Sequence, residues 1–543
     1  FPTRRSSDLN LTVIFNINKN IIIMKRLNIN ISNILPTRKA WLGVGLLLAL
    51  ASCTDLNEQL YDKVSQDDYG KTSSEVATIV GGAYATLRGY GSGTPEGAGI
   101  ICYPTCEYVF FTQECSSDEA CIPTRGTDWY DGGRYQQFQR HNWDAKNSGI
   151  LSVWRYNFTG VSKVNAIIYQ VEQSGLTTED KQKVEAELRG LRAYYYYNLL
   201  DCFGNVPVVT DFTQKELPTN TPRKDVFAFI EKELKEIIPL LPSGITYGRF
   251  TQNVANTLLA RLYLNAEVFT GTARWQDCLD ACNKVQGYSL TANYKASFAI
   301  QNEKSPEIIF AIPYDHKQGT VGNYLASMTY HYNQKLAFDP AGVYQWCGNG
   351  ICAQPGLYSS FDARDVRRQS LLIGQQYSAK DGSEVLMDDG SPLNYTEEID
   401  NFTDAAKNAG ARLNKYEWSA NDSWERDNDW VLMRYAEILM MQAECNFRLG
   451  YTSTALTYIN QIRKRAGLDD LTTLTLDDLD TEWKHEFVFE NLRRTTNIRF
   501  GTYFKAWWEK PADPADKHTG IYPIPQEELS KNPNLKQNPG YES

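Results

Sequence analysis

Paired amphipathic helices are the feature that most constrains what this chain can fold into. Between residues 184 and 199, apolar and aromatic side chains recur at steps of three or four, the spacing of one helix face. The residues on that face are Val184, Leu188, Leu191, Tyr195 and Leu199. A helix with one apolar stripe has to bury that stripe against a neighbour. Because similar segments follow along the chain, the pattern predicts a mostly α-helical scaffold.

Local signals mark both ends of this helix. Thr177 is a typical N-cap residue, and Glu179 and Asp180 place acidic side chains in the first turn. Gly204 and Pro207 follow the last apolar positions and are helix-stop signals. The sequence therefore predicts one long helix between Thr177 and Gly204.

Three more helical segments follow. The segment DVFAFIEKELKEIIPLL is predicted to end at Pro242. The segment 253–269 places its apolar residues on one face, and Gly271 separates it from a shorter helix at 275–285. These segments extend the predicted helical region to about residue 310.

The clearest pair of helices lies at 430–466, with Gly450 between them. The apolar face of the first helix carries Leu432, Tyr435, Leu439 and Ala443, and that of the second carries Ala455, Ile459, Ile462 and Ala466. Alanines at the contact positions and a glycine turn look like tetratricopeptide-type hairpins, which stack on one another. We therefore expect a superhelical scaffold in two groups, about 150–310 and 426–510.

The stretches between these groups have a different character. Residues 89–145 and 314–425 are rich in Gly, Asp and aromatic residues and show no sustained period. Long irregular segments in a folded protein usually carry function. We interpret them as an irregular, loop-rich ligand-binding subdomain on the helical scaffold.

The N-terminal region indicates export. An apolar run from Ala40 to Ala51 follows basic residues, is too short to span a bilayer, and ends in Leu-Ala-Ser-Cys at Cys53. This ending resembles the lipobox of bacterial lipoproteins, so Cys53 is the predicted lipidation site; an ordinary signal peptide is the alternative. We expect 1–23 to be an upstream scar, 24–52 the signal peptide, and 53–543 a single domain.

Charge and cysteine content narrow the function classes. The net charge is −10, and basic residues are interspersed with acidic ones, so no concentrated basic face for nucleic acid is evident. Outside the cytoplasm the clustered cysteines can pair, although the sequence leaves their connectivity open. These cysteines are Cys102, Cys106, Cys115 and Cys121 in one stretch and Cys347 and Cys352 in another. No metal site or cofactor is predicted from the sequence; whether a structural calcium binds stays open.

Several motifs resemble those of one family along nearly all of the predicted mature chain. The C-terminal stretch 521–541 carries Pro-Ile-Pro, Asn-Pro and Gln-Asn-x-Gly-Tyr in order. The segments ELRGLRAYYYYNLLDCFGNVPVV, VLMRYAEILMMQAEC and TYINQIRKRAGL match further family motifs. Together they resemble the SusD/RagB family of outer-membrane nutrient-binding lipoproteins. Trp483, Asn491 and Thr496 depart from the family pattern at positions that look structural.

The resemblance implies a cell-surface lipoprotein without catalytic activity, anchored by lipid in the outer membrane. It also implies that the protein captures an oligosaccharide and delivers it to a partner, a SusC-like TonB-dependent outer-membrane transporter. A peptide or another nutrient is the alternative ligand. A surface glycoside hydrolase and a protein-binding scaffold are the alternatives from other functional classes.

Candidate ligand residues lie in the aromatic loops. Sugar rings stack their C–H faces on aromatic rings, while their hydroxyl groups need polar partners. The predicted ligand-binding residues are Asp128, Trp129, Tyr130, Asp131, Tyr330, His331, Tyr332, Trp346 and Asn349. We hypothesise that Trp129 and Trp346 form a stacking platform; alternatively, Trp129, Tyr332 and Trp346 only anchor their loops.

Overall fold

The computed structural model describes most of the chain after the predicted signal peptide, and Tyr69–Ser543 forms one compact unit. The described residues are 72–89, 108–315, 323, 325–340, 347–418 and 426–542. Cys53, Cys102, Cys106 and Trp346 therefore lie outside the described residues.

Helices dominate this part of the chain. Their bounds are α1 Ser73–Ala85, α2 Tyr108–Gln113, α3 Arg134–Arg140, α4 Ser148–Glu172, α5 Thr178–Phe203, α6 Arg223–Ile237, α7 Gln252–Leu264, α8 Ala266–Thr270, α9 Trp275–Cys282, α10 Leu325–Thr329, α11 Lys335–Phe338, α12 Leu357–Ser360, α13 Tyr435–Arg448, α14 Thr452–Arg465, α15 Leu476–Glu486, α16 Arg493–Phe500 and α17 Gln526–Lys531. The strands are β1 Ala120–Cys121, β2 Ile308–Ile312, β3 Cys352–Ala353, β4 Leu371–Leu372, β5 Gly374–Gln375, β6 Asn394–Tyr395, β7 Arg412–Leu413 and β8 Trp430–Arg434.

Consecutive helices pack as hairpins, as the apolar stripes require. Helix α4 packs on α5, α5 on α6, α7 on α9 and α13 on α14, and α9 joins the two helical groups through α13. Where α4 meets α5, a Cβ atom at Gly160 would lie 2.3 Å from the ring of Tyr195. Only glycine permits this close approach. The predicted class, a mostly helical fold with tetratricopeptide-like hairpins, is confirmed.

The predicted boundaries of the long central helix are confirmed by its caps. The Thr177 hydroxyl accepts a hydrogen bond from the Asp180 N–H at 3.2 Å. The helix ends at Phe203, and Gly204 adopts φ 68°. Local capping signals were sufficient here because they act within a few residues of the helix end.

Two other predicted helices differ in their limits. Helix α6 ends at Ile237 rather than at Pro242, because Pro239 has no N–H to continue the α-helical ladder. The segment 253–269 is not one helix: it breaks at Asn265, whose side chain donates to the Arg261 carbonyl at 2.9 Å. The predicted helix 275–285 ends at Cys282.

The start of the predicted hairpin 430–466 is a strand. Trp430–Arg434 forms β8, which pairs antiparallel with β2, and helix α13 begins at Tyr435. A short apolar run cannot be distinguished as helix or strand by periodicity alone. The long-range pairing with the wholly buried strand Ile308–Ile312 decides it.

Short strand pairs hold the irregular regions together. Strand β1 pairs with β3, which places Cys121 opposite Cys352 with their sulfur atoms 3.7 Å apart. The eight cysteines in the described part of the chain are all buried and unpaired. The β1–β3 pair brings the segment after residue 121 close to the segment before residue 352. Those two segments carry most of the predicted ligand residues.

A buried histidine predicts how stability depends on pH. The ring of His485 stacks on Phe361 at 3.9 Å, and its Nε2 lies 2.9 Å from the Ser360 hydroxyl. Burial, together with the charge of Arg367, lowers the pKa of His485 to about 2. Below about pH 6.5 the imidazole of His485 therefore binds a proton in the unfolded chain but not in the folded protein. The free energy of unfolding consequently falls from about pH 6.5 towards pH 2.

We expect His485 to remove about 2 kcal/mol from the free energy of unfolding between pH 7 and pH 5. Urea unfolding of the wild type and of His485→Gln at both pH values measures this. The variant should lose about 2 kcal/mol less than the wild type on acidification. A His518→Gln variant, changed at a partly exposed histidine paired with Asp516, is the control. Equal acid sensitivity of the wild type and His485→Gln would contradict the prediction.

Candidate ligand-binding site

The candidate site is built on a tight turn that follows strand β1. Arg125 and Asp128 exchange two backbone hydrogen bonds, of 3.0 and 3.1 Å, which close the turn. The next residues then take unusual conformations, with φ 63° at Trp129 and φ 41° at Asp131. Left-handed backbone is uncommon for a bulky side chain and is often kept at functional sites. Within this loop Trp129 is half-buried, whereas Tyr130 is 56% exposed.

Trp129 connects this loop to the segment before β3. Its indole N–H donates to the carbonyl of Gly348 at 2.7 Å. Its ring occupies the space beside Gly350, where a Cβ atom would lie 2.4 Å from the indole. The side chain is half-buried, with the ring of Tyr135 at 5.8 Å. The indole thus has a fixed position and keeps part of its surface in solvent.

A second connection joins the loop to the segment after α10. The hydroxyl of half-buried Tyr332 donates a hydrogen bond to the exposed carboxylate of Asp128. Burial and this carboxylate raise the pKa of Tyr332, so the phenol stays protonated. The Lys407 ammonium lies 5.6 Å from the centre of the Tyr332 ring, and 3.7 Å from a carboxylate oxygen of Asp388. The surface around Tyr332 therefore combines an aromatic ring with charged hydrogen-bonding groups.

Two buried arginines lie beneath this surface. Burial and the nearby charge of Arg412 lower the pKa of Arg125 to about 10. The Arg125 guanidinium donates to the Ala409 carbonyl at 2.8 Å and lies 3.5 Å from the sulfur of Cys352. Although burial alone would raise the pKa of Cys352, its hydrogen bond with Cys121 and the charge of Arg125 lower it to about 6. The buried layer beneath the surface around Tyr332 is therefore polar and positively charged.

The other predicted site residues lie in different surroundings. Tyr130 is 56% exposed, and Asp131 is exposed with Arg134 at 3.5 Å. Tyr330, His331 and Asn349 are each 0% exposed. These five residues stay predictions as ligand contacts.

The buried residues have structural partners. The Tyr330 hydroxyl donates to Asn414 at 3.1 Å. The backbone N–H of His331 donates to the Tyr395 hydroxyl at 2.9 Å. Asn349 has φ 54°, and its backbone N–H donates to the carbonyl of Tyr330 at 2.8 Å. These buried hydrogen bonds fix the backbone on either side of Tyr332 and in the 348–350 segment.

Sequence reasoning did not find three residues that shape this site. Gly350 provides the space for the indole, and Lys407 and Asp388 surround Tyr332. The Cys-Gly-Asn-Gly run at 347–350 was a signal for a close approach to Gly350. No comparable signal marks Lys407 or Asp388, because exposed charges are common in loops.

Among the described residues, no group of three or more His, Cys, Asp or Glu side chains is arranged to hold a metal ion. None of the helices in that part of the chain has the length and apolar character needed to cross a membrane.

Two family models match this chain over separate segments. The model described as the SusD family matches residues 306–541. The model described as "Starch-binding associating with outer membrane" matches residues 117–264. The second match includes the Asp128 loop, and the first includes the Tyr332 segment.

Individual relatives agree with these matches. The starch-binding protein SusD of Bacteroides thetaiotaomicron is 26% identical over 474 residues, 76% of this chain and 82% of that protein. The SusD-like protein P2 of Formosa agariphila is 25% identical over 537 residues, 91% of this chain and 98% of that protein. The structure of surface glycan-binding protein A from B. thetaiotaomicron in complex with laminarihexaose has TM-score 0.67 and 21% identity, covering 86% of this chain and 99% of that chain.

The fold and the surface loops define a helical-repeat protein that carries a loop-built candidate binding surface. The two family models together cover more than half of the chain. The chain belongs to the SusD/RagB family.

Proposed function

We propose that this protein is a glycan-binding lipoprotein of the outer-membrane surface. Cys53 carries the lipid anchor, and the mature chain captures oligosaccharide and passes it to a SusC-like TonB-dependent transporter without chemical change. The relatives support this ligand class, since one is named as a starch-binding protein and one solved structure contains laminarihexaose.

The observation that carries the proposal is the Tyr332–Asp128 hydrogen bond beside half-buried Trp129. It presents an aromatic ring, a carboxylate and an indole on one surface, built from two segments far apart in the chain. Aromatic faces suit the C–H side of a sugar ring, and carboxylates accept its hydroxyl protons. A glycan therefore finds both kinds of partner at this position.

Affinity electrophoresis of the mature protein against a polysaccharide panel that includes starch and laminarin tests the ligand class. We expect retardation by at least one neutral glycan, with an affinity in the micromolar to millimolar range, roughly −4 to −8 kcal/mol. Weak binding suffices because tethering beside a transporter raises the effective concentration. Binding only to peptides, with no retardation in any glycan, would contradict the proposal.

Removal of the Tyr332 hydroxyl tests the surface directly. Tyr332→Phe keeps the ring but removes the donor to Asp128, so we expect three- to tenfold weaker binding of the polysaccharide that retards the wild type most. A Tyr451→Phe variant, which removes an exposed hydroxyl at the start of α14, is the control and should bind normally. If Tyr332→Phe were retarded as strongly as the wild type, the Tyr332 hydroxyl would not contribute to glycan binding.

The remaining parts of the proposal need their own measurements. Co-purification of a TonB-dependent transporter from solubilised outer membranes tests the partner. Mass spectrometry of the mature N-terminus and protease treatment of intact cells test the anchor at Cys53 and the surface position. Release of reducing sugars from the bound polysaccharide would instead indicate a hydrolase.

A further inference from the structure

A second cleft is lined mainly by residues of the irregular segment 314–425. Its volume is about 520 Å³, and none of its lining residues belongs to the Trp129–Tyr332 surface. The segment 363–373 forms one wall, and Lys295, Tyr358 and Asn414 complete it. A cavity of this size is within the range of small-ligand sites.

Two of the charged residues that line this cleft, Arg364 and Asp365, are paired with neighbouring charges. Arg364 pairs with Asp469 at 2.9 Å and with Asp362 at 3.1 Å. The carboxylate of Asp365 pairs with buried Arg367 at 2.7 Å. These lining charges are therefore neutralised by neighbours.

Two lining cations remain. Within the described residues, neither Lys295 nor Arg368 has a carboxylate at ion-pair distance, and the Nε of Arg368 is buried without a hydrogen-bond partner. Burial lowers the pKa of Lys295, and the more distant Glu417 compensates for this only in part. Partly buried positive charge without a counterion favours an anion, because attraction is stronger where water is partly excluded.

Arg368 is also held in place. Its guanidinium carbon lies 4.0 Å from the centre of the Tyr358 ring, a stacked cation–π arrangement. Less conformational entropy is then lost when a ligand binds, because the guanidinium is already oriented. A planar guanidinium recognises carboxylate and sulfate groups through paired hydrogen bonds, and an ammonium adds a mobile point charge.

We propose that this cleft binds the anionic group of an acidic saccharide, a uronate carboxylate or a sulfate ester, between Arg368 and Lys295. The inference rests on the proposed function for the saccharide part of the ligand. The exposed amide of Gln369 and the Tyr358 side chain line the same cleft and are available to the sugar ring. The protein then has an acidic-sugar site distinct from the Trp129–Tyr332 surface.

Isothermal titration with trigalacturonate and with its methyl ester tests the charge requirement without changing the protein. We expect the acid to bind at least tenfold more tightly than the ester, and its affinity to fall as salt is raised. A sulfated galactan oligosaccharide and its desulfated form make the same comparison for sulfate. Tighter binding of only one acid identifies the source of the anionic group; equal binding of both acids and their neutral forms overturns the proposal.

Variants locate the site. Arg368→Gln and Lys295→Gln should each weaken binding of the preferred acid at least tenfold. Arg364→Gln removes an already paired cation from the same rim and should change the affinity less than twofold. Unchanged urea midpoints establish that the variants fold. Two outcomes would place the anion elsewhere. In the first, only Arg364→Gln loses binding; in the second, both Arg368→Gln and Lys295→Gln bind as tightly as the wild type.

The failure of this inference is distinct from the failure of the proposed function. Suppose that neutral glycans bind and require Trp129, while Arg368→Gln binds trigalacturonate and the sulfated galactan as the wild type does. Only the proposal for the second cleft is then wrong. If the wild type binds no saccharide of any charge, the proposed function is wrong and this inference fails with it.

Discussion

Replacing Trp129 with alanine is expected to weaken glycan binding about thirtyfold, the equivalent of about 2 kcal/mol. The indole contributes stacking surface, and it also fixes the loop through its bond to the Gly348 carbonyl at 2.7 Å. Both contributions are lost together in Trp129→Ala. Isothermal titration against the polysaccharide that retards the wild type most measures the change.

A variant of Gly350 separates the two contributions. Gly350→Ala keeps the indole but places a methyl group where the ring now lies, 2.4 Å from its atoms. The ring has to move, so we expect a loss of affinity approaching that of Trp129→Ala if its position matters. Trp275→Ala removes a partly buried tryptophan from helix α9, away from the site, and is the matched control. Normal affinity in both Trp129→Ala and Gly350→Ala would show that neither the stacking surface of Trp129 nor its fixed position contributes to glycan binding.

The helical part of the fold could be predicted because its signals are local. The stripe of Leu188 and Leu191, the cap at Thr177 and the stop at Gly204 all act within one or two turns of the helix. Asn491 departs from a glycine expected from the family pattern, and it adopts φ 63°, a conformation that asparagine tolerates better than most residues. That departure is therefore compatible with the backbone.

Strand β8 could not be predicted from the local sequence because it forms by pairing with a strand more than 100 residues earlier in the chain. Trp430–Arg434 is a strand only because it pairs with Ile308–Ile312, and helical periodicity extends through the same residues. The break at Asn265 likewise depends partly on Arg499, which donates to the Asn265 side chain at 2.8 Å. Long-range contacts can override a local sequence pattern, and the pattern itself does not indicate them.

The candidate site was predictable in its residue types and not in its geometry. Composition pointed to the loops of Trp129 and Tyr332 because aromatic and acidic residues are concentrated there. The contact between Trp129 and Gly348 joins positions 219 residues apart. A sequence without aligned relatives contains no information on such a pairing. The same holds for Tyr330 and His331, which neighbour Tyr332 in sequence but point into the protein.

The second large effect is expected in a buried ionic cluster around Glu486. Glu486, at the end of α15, is 0% exposed and lies 2.6 Å from Arg434 and 3.1 Å from Arg367. Arg465, at the end of α14, contacts the same carboxylate. Burial alone would raise the pKa of Glu486, but the three guanidinium groups outweigh it and lower that pKa strongly.

We expect Glu486→Gln to lower the free energy of unfolding by about 3 to 5 kcal/mol, because it removes a buried negative charge that three buried guanidinium groups share. Glu179→Gln is the matched control: it removes a carboxylate at a similar distance, 2.7 Å from Lys183, but from an exposed pair. That control should cost less than about 1 kcal/mol, since water screens the exposed pair. Urea unfolding at pH 7 compares both variants with the wild type. If the two variants were equally stable, burial would not be what makes this cluster matter.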